Sequence, residues 1–397
     1  MKKAIITILL WAGVARGAAL PGFRVELVGT AVPFLSSIAV DSKGAIYYTT
    51  TKGGVWRLGG GRVAAVETEA SGNSGLLGMA LIDDRTAVVH YTTPNQVADV
   101  VSKIDLQTGE ETVLHEFVCD IELPSRGSNA EHHGGNPIVA PDGSVFVGIG
   151  DYGSFAIAAM PEWNAGKVFR VYPDGRAEQF ARGFRNPFDL AWDAARNRLF
   201  IPDNGDANDD EINVIENGAF CGWPLTMGNG PAVEGAVPPR YVWPTIVAPT
   251  GVLAPSARVP WMGGGYLIGS FVGRAVYFVP DINVEPFPAP IPLIERETAS
   301  IIDLAEGPKG EVYFATGNAI YRLIPPVKGD CNGDGRIDTA DVAALQVELA
   351  DRGLHRAIDA NASWGCDADG DGLISAIDAS TLIRMVAGRT RAIRSWR

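Results

Sequence analysis

The sequence is poor in positive charge and in cysteine, and it has no long apolar run beyond its first residues. Its 397 residues include 46 acidic and 33 basic side chains, giving a formal net charge of −13 at pH 7. This surplus of negative charge argues against nucleic acid and anionic membrane surfaces as main partners, and it favours neutral ligands and cations. After the N-terminal segment no stretch is long and apolar enough to span a bilayer. We therefore expect a mature protein without a membrane span.

Residues 1–17 have the features of a signal peptide. Lys2 and Lys3 precede a short apolar core at residues 4–14, and small residues at positions 15 and 17 suit cleavage. A membrane anchor is the alternative, but the apolar core is too short to cross a bilayer. We therefore expect an exported bacterial protein in the periplasm, outside the cell or at its surface.

Four cysteines are present, and an exported chain is expected to pair them. Cys331 and Cys366 lie beside acidic loops near the C-terminus, and a bond between them would tie these loops together. Cys119 and Cys221 would then form the second bond. Four cysteines allow three pairings, and the sequence alone does not decide among them.

Glycine and proline are abundant, with 47 and 26 residues, as in turn-rich β proteins. Between residues 18 and 323 an apolar strand, a Gly or Asp turn and a second apolar strand recur. The six copies begin near Ile38, Leu76, Ile138, Leu190, Val252 and Leu304. Repeats of roughly 50 residues predict an all-β, six-bladed β-propeller, with a sandwich with long loops as the alternative. Since the inner strands of a propeller converge on a central channel, we expect a ligand there.

The composition changes after a Pro-rich linker at residues 324–329. Residues 330–388 contain two loops with oxygen-bearing side chains at positions 1, 3, 5, 9 and 12, and a backbone carbonyl available at position 7, as in calcium-binding loops. The first comprises Asp330, Asn332, Asp334, Arg336, Asp338 and Asp341, and the second Asp367, Asp369, Asp371, Leu373, Ser375 and Asp378. Each loop runs into a predicted helix, at residues 341–350 and 378–387. Two solvated acidic turns are the alternative.

This duplicated half-hand arrangement resembles a type I dockerin. The resemblance implies a small α-helical domain that binds one calcium ion in each loop. It also implies a cohesin-like protein partner that docks through loop positions 10 and 11. Thr339-Ala340 and Ala376-Ile377 occupy these positions, so the two docking faces differ. Residues 389–397 are rich in arginine and are expected to form a disordered basic tail.

Polar residues suited to chemistry concentrate between residues 131 and 224, in loops and at strand ends. His132 opens a Gly-rich turn, and an imidazole accepts a proton near neutral pH. Arg185 and Asn186 lie in the run ARGFRNP, and a guanidinium suits a carboxylate or quinone oxygen. A turn histidine and a salt bridge between blades are the alternatives. His133 is not expected to be a metal ligand, because neighbours on an extended chain point in opposite directions and the pair with His132 is a poor metal clamp.

The spacing from His132 to Gly135 and on to the Pro-Asp-Gly turn at residues 141–143 resembles the glucose/sorbosone dehydrogenase family. The ARGFRNP run, the acidic loop at residues 203–211 and the segments at residues 75–80 and 248–251 resemble it too. These are exported quinoproteins that use pyrroloquinoline quinone (PQQ) and calcium. The resemblance implies that a sugar, an aldose or a relative of one, is oxidised. The residues that it implies are His132 as base, Arg185, Asn186, Asn73 and Thr250 at the cofactor, and the backbone carbonyls of Gly205 and Asp206 at calcium.

The sequence departs from this family where the family carries cations. A lysine and two arginines are replaced by Val272, Ser300 and Ile302. Burying three cofactor carboxylates without cations is costly, and Arg126, Arg274 and Arg296 are candidate substitutes. A non-catalytic propeller that binds carbohydrate or protein, and has lost its quinone site, is therefore the alternative function.

Overall fold

The computed structural model describes residues 23–119, 131–254, 256–296, 299–352, 356–357, 364–369 and 373–394. The predicted signal peptide, Arg126 and Asp371 lie outside these ranges. None of the described helices is long and apolar enough to cross a membrane.

Alternating apolar and polar residues between Gly and Asp turns form six four-stranded antiparallel sheets, the blades. The described chain begins with β1 (Arg24–Thr30). Blade 1 contains β2 (Leu35–Val40), β3 (Ile46–Thr50), β4 (Gly54–Arg57) and β5 (Gly61–Ala65). Blade 2 contains β6 (Leu76–Leu81), β7 (Thr86–Thr92), β8 (Ala98–Asp105) and β9 (Glu111–Val118). Blade 3 contains β10 (Ile138–Val139), β11 (Val145–Ile149), β12 (Lys167–Val171) and β13 (Ala177–Arg182).

The remaining three blades follow in chain order. Blade 4 contains β14 (Ala191–Asp193), β15 (Arg198–Asp203), β16 (Glu211–Glu216) and β17 (Tyr241–Val242). Blade 5 contains β18 (Pro249–Leu253), β19 (Tyr266–Ser270), β20 (Ala275–Val279) and β21 (Ile291–Glu295). Blade 6 contains β22 (Asp303–Glu306), β23 (Val312–Thr316) and β24 (Ala319–Ile324). The predicted six-bladed propeller is confirmed, and each predicted repeat coincides with one blade.

Blade 6 is completed by the N-terminal strand. β1 pairs antiparallel with β24, from Arg24 opposite Ile324 to Thr30 opposite Ala319. The two ends of the propeller sequence therefore lie in one sheet, which closes the ring.

The apolar core lies mainly between neighbouring blades. Val55 of blade 1 packs in one cluster with Val89 of blade 2, and Leu267 of blade 5 packs with Phe314 of blade 6. The flat faces of the sheets are buried against the neighbouring blades. Polar residues at the inner strand ends therefore face the channel.

The C-terminal region has its own small core, built from Leu345, Ile374, Leu382 and the disulfide-bonded pair Cys331–Cys366. Its elements are β25 (Arg356–Ala357), β26 (Leu373–Ile374), α1 (Thr339–Arg352) and α2 (Ala376–Arg394). The predicted Cys331–Cys366 disulfide is confirmed. The predicted Cys119–Cys221 disulfide is wrong, because both cysteines are buried and neither is disulfide-bonded. The basic tail was expected to be disordered from residue 389, whereas α2 continues through residue 394.

Candidate active site

A cavity of about 530 Å³ lies at the centre of the ring and is lined by strand ends and connecting segments around it. Its wall includes every propeller residue predicted to take part in the chemistry: Asn73, His132, Arg185, Asn186, Gly205, Asp206 and Thr250. The fold therefore brings together seven residues that are spread over 178 positions of the sequence. Their individual roles remain predictions.

His132 is held by a buried carboxylate. Its Nδ1 lies 2.7 Å from Oδ1 of Asp151, and Nε1 of Trp223 donates to Oδ2 of Asp151 at 2.9 Å. Asp151 is 1% exposed. A carboxylate only accepts hydrogen bonds, so Nδ1 carries the proton and Nε2 is the nitrogen left to accept another. This is the arrangement of an oriented general base. The sequence analysis assigned no role to Asp151 or Trp223.

The turn that presents His132 packs very closely against β11. His132 itself has a φ of 61°, in the left-handed region. A Cβ on Gly134, whose φ is 81°, would lie 1.8 Å from the carbonyl oxygen of Gly148. The Gly-rich sequence of this turn is therefore required by backbone contact, and it places the imidazole at the mouth of the channel.

Arg185 and Asn186 are fixed through their backbone by Asp203. The Arg185 amide donates to Oδ2 of Asp203 at 2.9 Å and the Asn186 amide to Oδ1 at 2.7 Å. The Arg185 guanidinium donates to the carbonyl of Asn204 at 3.2 Å and lies 3.6 Å from Asp206. Oδ1 of Asn186 accepts from the Gly134 amide at 3.1 Å, so Asn186 also supports the turn that carries His132.

The acidic loop at residues 203–211 is not a cage of carboxylates. The buried Asp210 accepts backbone hydrogen bonds from Gly205, Val247 and Ala248. Asp203 is likewise used by amides, and its pKa is raised well above the usual range, first by burial and then by Glu211. Backbone amides therefore provide hydrogen bonds to the buried acids of this loop. A calcium ion at the Gly205 and Asp206 carbonyls stays a prediction.

Thr250 and Asn73 differ in exposure and in hydrogen bonding at the cavity wall. Oγ1 of Thr250 donates to the carbonyl of Ile301 at 2.9 Å, and the residue is 7% exposed. Asn73 is exposed at the cavity wall. Thr250 is thus anchored to blade 6, whereas Asn73 is open to a ligand.

Arg185 is the one lysine or arginine among the described residues that line the cavity. Ile302, where the family carries an arginine, belongs to the apolar wall. Of the candidate substitutes, Arg296 stacks on Tyr321, with its guanidinium 4.3 Å from the ring centre, and neither Arg296 nor Arg274 lines the cavity. Neither therefore replaces the missing cations.

The two C-terminal loops have the geometry of calcium loops in the part that the structure describes. Asp341 accepts from the amides of Asn332 and Asp338, and Asp378 accepts from the amides of residues 368, 369 and 375. Carboxylate oxygens of Asp367, Asp369 and Asp378 lie within 4.8 Å of one another. Oδ1 of Asp330 is buried and has no hydrogen-bond partner among the residues that the structure describes, as expected of an atom that binds a cation.

Residues 35–324 match the model of the glucose / sorbosone dehydrogenase family. The chain belongs to this family. Residues 328–387 match the dockerin type I domain. The chain thus combines a dehydrogenase-family propeller with a dockerin domain.

Several characterised proteins are similar in sequence. The aldose sugar dehydrogenase YliI of Escherichia coli is 25% identical over 224 residues, which is 50% of this chain and 60% of that protein. The quinoprotein glucose dehydrogenase B of Acinetobacter calcoaceticus is 24% identical over 208 residues, 42% of this chain and 43% of that protein. The matches thus span less than two thirds of either relative.

Solved structures share the propeller fold. The apo form of the soluble aldose sugar dehydrogenase from Escherichia coli has a TM-score of 0.66 at 20% identity, covering 76% of this chain and 99% of that one. The PQQ-bound aldose sugar dehydrogenase from Streptomyces coelicolor has a TM-score of 0.64 at 22% identity, covering 77% of this chain and 99% of that one.

Proposed function

We propose that the propeller is an exported sugar dehydrogenase that oxidises an aldose or related sugar with PQQ in the central cavity and calcium beside it. The observation that carries this proposal is His132 at the cavity wall, hydrogen-bonded to the buried Asp151 behind it. A histidine whose proton is fixed by a buried carboxylate is equipped to accept a proton from a sugar hydroxyl. Family membership supplies the reaction class.

The residues present fit PQQ in shape and in donor chemistry. Leu77, Phe188 and Ile302 give the cavity apolar surface against which a flat ring packs. Arg185 offers a planar fork of donors for a quinone or carboxylate oxygen, and the exposed side chain of Asn73 lines the same cavity. These residues would hold the cofactor, and calcium at the carbonyls of Gly205 and Asp206 would add a second positive charge.

The charge of the cavity is less favourable. PQQ carries three carboxylates. Among the described residues of the cavity wall, Arg185 is the one lysine or arginine, and Asp206 and Asp210 add two negative charges. Arg185 is also engaged by Asp206. We therefore expect PQQ to bind more weakly than in a cavity with a full set of cations.

When bound, PQQ would supply the two-electron oxidant for the sugar, and an external acceptor would be needed to take up the electrons. Nε2 of His132 accepts the proton of the hydroxyl group that is oxidised. Asp151 stabilises the positive charge that develops on the imidazole, and Trp223 keeps the carboxylate in place.

The test is reconstitution of the full chain with PQQ and calcium, followed by dye reduction with a panel of aldoses. We expect His132→Ala to reduce turnover by at least ~100-fold, the usual scale for a general base. The affinity for PQQ, measured by titration, should be nearly the same in the variant and the parent. Dye reduction by His132→Ala at the parental rate would refute the assigned base.

The absence of cations at Val272, Ser300 and Ile302 favours a second candidate, a propeller that binds carbohydrate or protein without redox chemistry. The two candidates are separated by titrating PQQ in calcium against the parent and against the variant Val272→Lys, Ser300→Arg, Ile302→Arg. Binding by the parent supports the oxidoreductase. Binding only by the triple variant, or by neither protein, supports the binding module.

The dockerin domain supports a further part of the proposal, docking to a cohesin-like protein outside the cell. Ile377 and Thr339 are both exposed on their respective faces. Since the faces differ in sequence, we expect docking to use mainly one of them. Equal loss of partner binding by Thr339→Asp and Ile377→Asp would contradict this.

A further inference from the structure

His133, the neighbour of the proposed base, points into a second polar cluster, buried between blades 2 and 3. His133 and Asp99 are each 0% exposed, and Cys119 is 1% exposed. Nδ1 of His133 lies 2.9 Å from Oδ1 of Asp99. One potential ligand atom from each of the three residues lies within 4.8 Å of the other two.

The hydrogen bond between His133 and Asp99 uses one of the two ring nitrogens of His133. Nε2 of His133 is buried and has no hydrogen-bond partner in the part of the chain that the structure describes. In an imidazolium, this nitrogen would carry a buried proton without an acceptor, which is costly. In a neutral imidazole, one nitrogen has a lone pair, which is the form in which histidine binds a metal.

The surroundings resemble those of a metal site. Oγ1 of Thr92 donates to Oδ1 of Asp99 at 2.9 Å, the kind of supporting bond that orients a ligating carboxylate. Tyr152 packs on His133, with ring centres 5.2 Å apart. His90 donates from Nδ1 to the carbonyl of Gly135 at 2.7 Å, and its buried Nε2 has no partner among the described residues.

We propose that Asp99, Cys119 and His133 bind a divalent transition metal ion of the zinc class. A set of one carboxylate, one imidazole and one thiolate suits zinc, whereas calcium and magnesium prefer oxygen ligands alone. On binding, the Cys119 thiol releases its proton to solvent, and the thiolate and carboxylate together balance the charge of the ion.

The site has a structural role rather than a role at the substrate. None of the three ligands lines the central cavity. His133 and Tyr152 are, however, the chain neighbours of His132 and Asp151. A metal ion in the cluster would therefore fix the backbone on both sides of the proposed base and its carboxylate.

The experiment uses the full chain and two metals. Metal analysis of the purified protein should find about one zinc equivalent, and exchange with Co²⁺ should produce a thiolate-to-cobalt charge-transfer band. The dockerin loops cannot give this band, because Cys331 and Cys366 form a disulfide. Cys119→Ala should abolish the band. Cys221→Ala, which alters the other buried cysteine that is not disulfide-bonded, should retain it.

A second variant keeps the thiol and tests the histidine. His133→Gln should lower the affinity for Co²⁺ at least ~10-fold, because the loss of a group that only supports a metal ligand already lowers metal affinity by about this factor. Folded wild-type protein with no zinc and no thiolate band after cobalt loading would overturn the proposal, and this outcome does not depend on the folding of any variant. A band that survives in Cys119→Ala and disappears in Cys221→Ala would also overturn it.

Discussion

Asp151 is the residue on which the proposed base depends most directly. Replacing it with asparagine keeps the size of the side chain but removes the charge that stabilises a protonated His132, and it permits the wrong tautomer. We expect Asp151→Asn to lower kcat roughly 10²–10³-fold, within the range for losing a proton-transfer partner. PQQ binding should change little, because Asp151 is absent from the cavity wall. The measurements are dye-reduction kinetics and PQQ titration.

The matched control is Asp142→Asn, in the same blade. Asp142 is an exposed turn residue that bonds Ser144 and Arg170 and does not line the cavity. Its kinetics should match the parent. If Asp151 had only a structural role, Asp151→Asn would lower the yield of folded protein but not kcat per folded molecule. That result would contradict a positioning role.

Ile302 is the position where an added cation should matter most. It lies on the cavity wall, whereas Val272 is 52% exposed and does not line the cavity. We expect Ile302→Lys to tighten PQQ binding about tenfold, equivalent to ~1.4 kcal/mol, because it adds a cation where a carboxylate would be buried. Val272→Lys adds the same charge away from the wall and serves as the control. An equal gain from both would indicate a general charge effect instead.

The site residues that could be predicted from the sequence lie in local motifs. His132 and Arg185 stand in short runs with recognisable spacing, and both line the cavity. Asp151 and Trp223 were not assigned roles, because Asp151 lies 19 residues from its partner His132 and Trp223 lies 72 residues from its partner Asp151. The contact between Asp99 and His133 was missed for the same reason. Such contacts depend on how the blades are arranged around the ring, which no local pattern encodes.

At the scale of elements, hairpins were predictable because side-chain alternation and turn residues are local properties. The completion of blade 6 by β1 was not predicted, since pairing between residues 24 and 324 joins the ends of the propeller sequence. The helices α1 and α2 were predicted, but each was expected to be shorter than it is.

The helices of the dockerin domain should depend on calcium. Each begins beside the last acidic ligand of a loop, and Asp341 and Asp378 are fully buried there. Without the ion these carboxylates repel the other acidic ligands, so chelation should reduce the helical circular dichroism of the full chain. Asp330→Ala and Asp367→Ala should each produce part of this loss in calcium.

Asp281→Ala, at an exposed turn of blade 5 whose carboxylate bonds Asn283, is the control and should leave the helical signal unchanged. Helicity that is insensitive to chelator, in protein shown to be free of calcium, would refute calcium-dependent folding of these loops.

At the scale of the whole molecule, a buried network ties the blades together at the centre of the ring. Asp303 of blade 6 accepts from the amide of Ile38 in blade 1 at 2.7 Å and from Nδ2 of Asn136 at 2.9 Å. Asp189, before blade 4, accepts from the amide of Val252 in blade 5 at 2.6 Å and from the same Asn136 side chain at 3.2 Å. The ring is therefore joined by carboxylates as well as by apolar packing.

This network should make the stability of the propeller depend on pH. Burial raises the pKa of Asp303 from 3.8 to about 6, and burial together with Asp303 raises the pKa of Asp189 well above its usual range. The folded state thus holds these protons more tightly than the unfolded state does. The resulting stabilisation is complete below about pH 4 and is lost as the pH rises through about 6 and beyond.

With calcium held constant, we expect the free energy of unfolding to fall by roughly 1–3 kcal/mol between pH 4.5 and 7.5 because of this pair. Asp189→Asn should flatten this slope in urea unfolding, whereas Asp174→Asn, at an exposed turn, should preserve it. An unchanged slope in Asp189→Asn would show that the pair does not hold its protons in the folded state.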